Sequence, residues 1–243
     1  MLHIGILYHM PQVVSFSFFR FGSLRSRLWA FAMMGLARHP VSKLDGIGFW
    51  KLCGSGTGEG FTPRPNLSVY AILATWPDEQ TARRAVESSR IFSRYRAMAT
   101  EDWTVFMAAN SARGAWSGRA PFEPSQTVKA GPMAALTRAT LRPATLARFW
   151  QRVPDISAVI GQDPNVMFKI GVGEVPWLHQ VTFSIWPDAT RMAGFARTGP
   201  HAAAIRAVRD EGWFNEELYA RFTLLSDLGT WGGTSPLHAK DIQ

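Results

Sequence analysis

The sequence predicts an α+β protein in which two β-α-β-β-α-β units follow one another and close together as a barrel. Three observations lead there. The triplet Trp-Pro-Asp occurs at residues 76–78 and again at 186–188, each time ending an apolar run and opening a helical pattern. At the same offset of 110, Arg96 matches Arg206 and Trp103 matches Trp213. Further upstream an offset of 118 pairs Arg20 with Arg138, Leu28 with Leu146, Phe31 with Phe149 and Lys51 with Lys169. The offsets differ by eight residues, which one Gly- and Pro-rich loop, 54–66, absorbs. A single loop insertion into a duplicated unit accounts for both spacings. The expected architecture is therefore a tandem pair of ferredoxin-like repeats forming a pseudo-dimeric α/β barrel.

The first strand is read at 13–21, where Ser15 and Ser17 alternate with Val14, Phe16 and Phe18. An apolar helix follows at 24–37 and stops near Pro40. The second and third strands lie at 49–54 and 69–76. Asp78 caps the next helix, and Pro77 disfavours helix before it. A fourth strand is read at 104–109, and the Gly, Ser and Pro content of 114–129 suits a linker. The second unit repeats the pattern: strand 133–141, helix 143–153, strands 166–172 and 181–186, the Asp188 helix, and strand 221–225. This divides the chain into a first half at 1–113, the linker at 114–129, and a second half with its C-terminal tail at 130–243. Helices on one face of each antiparallel sheet leave the other face for the partner half. Two curved sheets meeting that way would enclose a ligand cavity.

Composition narrows the functional classes. Of 243 residues, 47% are hydrophobic and 18% charged, enough apolar surface to offset the ordering entropy that keeps polar chains unfolded. The formal charge of +8 favours anionic partners, but the basic residues are scattered and no nucleic-acid motif is present, so no nucleic acid is expected. Cys53 is the only cysteine, which excludes an internal disulfide and any multi-cysteine metal centre and suits a reducing, cytoplasmic setting. The most apolar run, 28–37, is about half of the roughly 20 residues a membrane span requires, and residues 1–21 lack the build of a secretory signal.

Standard catalytic signatures are missing: no Gly-x-Ser-x-Gly, phosphate loop or His-Glu-x-x-His occurs. The run Gly54-Ser-Gly-Thr-Gly-Glu-Gly60 has glycines at alternate positions and leads into Phe61-Thr-Pro63, so it reads as a flexible loop and a candidate lid. His3, His9, His39 and His238 read as surface or capping residues, and His179 as a satisfied core histidine. His201 differs in context: it follows Gly199-Pro200 and precedes three alanines, with Ile205 and Val208 on its helical face. One imidazole in an apolar shell suits haem better than zinc, which takes three or four protein ligands, although a plain helix histidine reads equally well. Lys51, Lys169, Arg138 and Arg206 carry the charge to partner haem carboxylates, and each singly also reads as a surface ion pair. Phe16, Phe18, Trp50 and Phe183 alternate on strands and are candidates to line the cavity, with core packing as the plainer role.

Several long runs carry a resemblance. Ser17-Phe-Phe-Arg-Phe21, Arg27-Leu-Trp-Ala-Phe-Ala-Met-Met-Gly35, Gly48-Phe-Trp-Lys-Leu-Cys-Gly-Ser-Gly-Thr-Gly-Glu-Gly-Phe61 and Tyr70-Ala-Ile-Leu-Ala-Thr-Trp-Pro-Asp78 resemble the spheroidene monooxygenase family, the carotenoid ketolases of purple phototrophic bacteria. So do Trp103-Thr-Val-Phe106, Trp116-Ser-Gly-Arg-Ala-Pro-Phe122 and the regions around Trp186 and His201, and the likeness covers nearly the whole chain. The resemblance implies an O₂-using enzyme that places a keto group at C-2 of spheroidene or hydroxyspheroidene. It also implies kinship with haem proteins on paired ferredoxin-like units, such as chlorite dismutase and aldoxime dehydratase. Carried over, that makes His201 the axial ligand of haem b iron. Reduced ferredoxin is the expected electron donor. The expected location is the cytoplasm, with peripheral contact to the inner or photosynthetic membrane. Two alternatives stay open: a haem lyase of the aldoxime-dehydratase kind, and a non-catalytic carrier of haem or a lipophilic ligand.

Overall fold

A computed structural model describes residues 11–60, 62–125, 131–151, 165–197 and 212–238. Eight strands alternate with helices: β1 (Val13–Arg20), α1 (Leu24–Leu36), α2 (Arg38–Ser42), β2 (Trp50–Gly56), β3 (Pro65–Trp76), α3 (Glu79–Ser88), α4 (Arg90–Met98) and β4 (Glu101–Gly114). There follow β5 (Met133–Leu141), a 3₁₀ turn (Pro143–Thr145), β6 (Phe168–Gly173), β7 (His179–Trp186), α5 (Ala189–Arg197) and β8 (Phe214–Gly229). Residues 146–151 continue the 3₁₀ turn as helix; the rest of the helix expected at 143–153 lies outside the described residues.

All pairings are antiparallel, and the strands close as β1-β3-β2-β6-β7-β5-β8-β4. Closure gives every strand a neighbour on both sides, although β2 and β6 share only two residue pairs. Two seams join the parts of the barrel. The β4–β8 seam is long, running from Trp103↔Gly229 to Gly114↔Leu218 with register shifts after Phe106 and between Ala109 and Ser111. The β2–β6 seam consists of Gly54↔Gly173 and Ser55↔Val172.

Strand alternation sets the two faces. Val14, Phe16 and Phe18 of β1 point into the barrel, where Phe168, Phe183 and Trp103 meet them. The Phe16 and Phe18 rings lie 4.4 Å apart, Phe16 and Phe183 5.2 Å, and Trp103 and Phe168 4.8 Å. An eight-stranded barrel is just wide enough for side chains to fill, and these rings fill it. The cavity expected between the sheets is therefore occupied by core. Phe16, Phe18 and Phe183 are fully buried there, and Trp50 packs with the outer cluster under Arg38.

The other face of β1 is covered as well, because α3 and α4 lie outside the sheet and contribute Ala82, Val86, Ile91, Phe92 and Tyr95. Ser15 and Ser17 are thus buried, and each has a partner: Trp76 Nε1 donates to Ser15 Oγ at 2.8 Å and Thr104 Oγ1 to Ser17 Oγ at 2.7 Å. Asp78 caps α3 by accepting from the Thr81 amide at 2.7 Å, and Asp188 accepts from the Arg191 amide at 2.8 Å. Ser23 caps α1 in a reciprocal arrangement with Ser26.

The strands β4 and β8 run well past the apolar runs that announced them at 104–109 and 221–225. Glu216 is the reason in β8: it faces inward to meet Arg138, so a charge sits where alternation leads one to expect a hydrophobic residue. Each long strand ends in a tight turn with a tryptophan. Trp116 pairs with Arg119 after β4, and Trp231 with Thr234 after β8. Trp116 is fully buried at one end of the barrel, and Trp231 lies under Arg20, 4.4 Å from its guanidinium, at the other. No helix among the described residues is long and apolar enough to cross a membrane.

Candidate functional site

Inward-facing positions near one end of the barrel carry charge. Lys51 of β2 lies on the same face as the inward Cys53, and Arg138 of β5 on the same face as Leu136. Both turn toward Glu174, which follows β6. Lys51 Nζ lies 2.6 Å from Glu174 Oε1, and Trp116 Nε1 donates to Glu174 Oε2 at 2.7 Å. His179 Nδ1 lies 3.4 Å and Arg138 Nη2 3.8 Å from that same oxygen. Arg138 Nη1 also bonds Glu216 Oε2, and the amides of Ser117 and Gly118 donate to the Glu216 carboxylate at 3.0 and 2.7 Å. Lys51 Nζ reaches Ser117 Oγ at 2.7 Å, so both carboxylates are tied to the Trp116 turn. Arg138 is 1% exposed, and its Nε is buried without a partner.

Two cations thus meet two carboxylates. Burial raises the Glu174 carboxyl, but contacts from His179, Lys51 and Trp116 outweigh it and hold the group at about 2. Burial raises the Cys53 thiol well above its ordinary value, with the nearby Glu174 charge adding to the effect, so Cys53 stays a neutral thiol. The network is a polar layer that ties the 174–179 turn, through Glu174 and His179, to the Trp116 turn.

His179 and Glu174 also edge a groove of about 200 Å³ on the outside of the barrel, above the β2–β6 seam. Phe31 and Met34 of α1, Tyr70 of β3, Trp150 and Trp177 supply most of its apolar wall. Burial pushes the Tyr70 phenol up, so it enters the groove as a neutral hydroxyl. Trp177 holds its ring at the rim from a backbone φ of +64°, a region that bulky residues rarely adopt. Its Nε1 donates to Pro63 O at 2.7 Å, and Trp150 Nε1 donates to Trp177 O at 3.3 Å.

The glycine-rich loop forms the groove's opposite edge. Gly171 N donates to Glu59 O at 2.7 Å, and Lys169 Nζ lies 2.9 Å from Glu59 Oε2. A Cβ on Gly60 would come within 1.7 Å of Gly171 O, so a side chain there would prevent this approach. The loop read from sequence as a flexible lid is packed onto β6.

Of the site residues read from sequence, the fold brings Lys51 and Arg138 together and adds His179. Lys169 sits apart, on the outer face of β6. His201 and Arg206 lie outside the described residues, as do His3 and His9. Lys51 and Arg138 are matched by internal glutamates, and Lys169 pairs with the exposed Glu59. Among the described residues no three His, Cys, Asp or Glu side chains gather as a metal site. Glu174, Glu216, Trp116 and Trp177 are the residues that sequence reasoning missed. Glu174 had one signal, an acid between a strand-ending glycine and Val175-Pro176, where a turn begins.

Curated relatives cover most of the chain. A spheroidene monooxygenase of Cereibacter sphaeroides is 52% identical over 229 residues, 93% of this chain and 71% of that protein. One of Rhodobacter capsulatus is 49% identical, with 96% and 98% covered, and one of Rubrivivax gelatinosus is 35% identical, with 86% and 80% covered. No family model matches the chain. Among solved structures, an aldoxime dehydratase in complex with butyraldoxime superposes with a TM-score of 0.60 at 10% identity, covering 95% of this chain and 86% of that one. A second aldoxime dehydratase gives 0.59 at 12%, covering 91% and 85%. These likenesses establish a shared fold.

Proposed function

The chain belongs to the spheroidene monooxygenase family and is an oxidoreductase of the monooxygenase class, and from that premise we propose that it inserts a keto group at C-2 of spheroidene or hydroxyspheroidene in carotenoid biosynthesis. The observation that carries this reading is the identity, along nearly the whole chain, to enzymes named for that carotenoid. Successive hydroxylations at one methylene give a geminal diol, which loses water to the ketone. Each hydroxylation consumes O₂, two electrons and two protons and releases water. Reduced ferredoxin is the proposed donor, and the net charge of +8 supports an acidic carrier.

The groove supports the substrate class. Phe31, Met34, Trp150 and Trp177 give an elongated apolar chain a wall to lie against, and Tyr70, His179 and Glu174 offer polar contacts. Their task is to bind and orient the carotenoid end and to limit water around the reacting carbon.

Haem b is the proposed cofactor; His201 would hold its iron and Arg206 a carboxylate, and the bound group would supply the activation of O₂. The sequence resemblance and the apolar, small-residue context of His201 support this assignment. We also read the barrel as two copies of one β-α-β-β-α-β unit. The matching orders β4-β1-β3-β2 and β8-β5-β7-β6 and the Trp116 and Trp231 turns support that reading.

The test supplies purified protein from haem-replete cells with spheroidene, reduced ferredoxin and O₂, and follows ketone formation by mass spectrometry. Ketone should form only with O₂ present, and the pyridine haemochrome assay should find haem that His201→Ala loses. Turnover without O₂ would point to lyase chemistry, and full haem retention in His201→Ala would remove the ligand assignment.

A further inference from the structure

The helix α1 is apolar on both sides. Ala30 and Met33 face the sheet and are buried, while Leu24 (71% exposed), Leu28 (55%) and Phe31 (61%) form a stripe at i, i+4 and i+7 on the opposite side. Leu36, 70% exposed, extends the surface at the helix end. A helix apolar all round is ordinarily covered on every side, and an exposed patch of this kind marks an interaction surface. The patch continues across the groove, because Phe31 lines it together with Leu67, Val175 and Trp177, which are 41%, 40% and 51% exposed.

The rim of this surface is cationic. Residues 24–44 contain Arg25, Arg27, Arg38 and Lys43 and no Asp or Glu, and Arg64 borders the groove from the loop. Arg25, Arg38, Lys43 and Arg64 are exposed. Apolar side chains in the middle with a basic border, and a tryptophan half in solvent, are the chemistry that recognises an anionic bilayer surface. A second copy of the chain fits less well, since a two-fold contact would set like charges against one another. An acidic protein would meet the border but leave the leucine stripe unmatched.

We propose that α1 and the groove rim seat on an anionic phospholipid surface, turning the groove mouth toward the hydrocarbon. An apolar substrate then moves from bilayer to groove without crossing water. That delivery role rests on the ketolase reading; the docking itself does not.

The test sediments the full chain with carotenoid-free vesicles of phosphatidylcholine alone or with roughly 30% phosphatidylglycerol, at low and high salt. The protein should partition to the anionic vesicles, less so at high salt. Leu24→Glu with Leu28→Glu should weaken partition by about tenfold or more. Arg25→Gln with Lys43→Gln should weaken the preference for anionic lipid severalfold and keep the residual apolar binding; this pair decides the matter if the leucine variant fails to fold. The proposal is overturned if the wild-type chain ignores anionic vesicles or if both variants bind as wild type. It is also overturned if sedimentation equilibrium shows a dimer that the leucine variant dissociates. Turnover of detergent-dispersed spheroidene by the leucine variant separates the two readings, because lost vesicle binding with retained turnover isolates docking from catalysis.

Discussion

Glu174 is the residue on which the polar layer depends, with Lys51 at 2.6 Å, Trp116 at 2.7 Å, His179 at 3.4 Å and Arg138 at 3.8 Å. Removing one partner of a buried ion pair costs more than the pair contributes, because the other charge is left uncompensated. Glu174→Gln is expected to cost roughly 3 kcal/mol, the low end for such a change because Lys51 keeps some solvent contact. For a chain of this size that lowers the midpoint by roughly 6–12 °C in a thermal melt at neutral pH. The pH profile carries a second signature. The folded value of about 2 lies below the ordinary 4.5, so the carboxylate stabilises the fold fully above pH 4.5, and that contribution is lost as pH falls toward about 2. The difference in stability between wild type and Glu174→Gln should therefore shrink across that window. Parallel acid profiles for the two proteins would show that Glu174 does not hold the layer.

At the scale of elements, the loop between β2 and β3 is held by close backbone approach rather than by side chains. Gly60 has a φ of +92°, and a Cβ there would collide with Gly171 O at 1.7 Å. Gly60→Ala is expected to lift the loop from β6, break the Glu59–Gly171 hydrogen bond and cost roughly 2 kcal/mol. Limited proteolysis should then cut between residues 57 and 64 severalfold faster, with the far-ultraviolet circular dichroism of the barrel unchanged. Wild-type cleavage kinetics would mean that the loop relaxes without leaving the strand. The helices rely on a different device. Asp78, Asp188 and Ser23 each satisfy first-turn amides, and the Asp78 and Asp188 starts were readable from the Trp-Pro-Asp triplet.

Across the whole molecule the two barrel seams are unequal. The β4–β8 seam extends from Trp103 to Gly114, whereas β2 and β6 meet only at Gly54 and Ser55 against Gly173 and Val172. The short seam lies under the groove and beside the glycine-rich loop. Local opening should therefore begin there, with the amides of Ser55 and Val172 exchanging hydrogen faster than those of Val105 and Met107. Equal protection on both seams would mean that the barrel opens only as a unit.

The order of the eight strands was legible in the sequence, whereas the short α2 around Pro40 and the break between α3 and α4 were not. Strands announced themselves through apolar runs, and the repeated Trp-Pro-Asp marked the corner where each third strand turns into a helix. These signals act over a few residues, so local chemistry suffices to read them. The polar layer and the groove became visible only with the fold. Alternation says that Lys51, Arg138 and Glu216 share a face with core residues, yet a lone charge in a strand reads as solvent-exposed until its partner is known. Those partners lie 78 residues apart for Arg138 with Glu216, and further still for Lys51 with Glu174. The filled interior was equally invisible, because barrel radius depends on strand number and closure rather than on any segment. With phenylalanine and tryptophan rings inside, the groove outside offers a ligand an open surface among the described residues. There α1, the loop and the 174–179 turn meet only because the barrel closes.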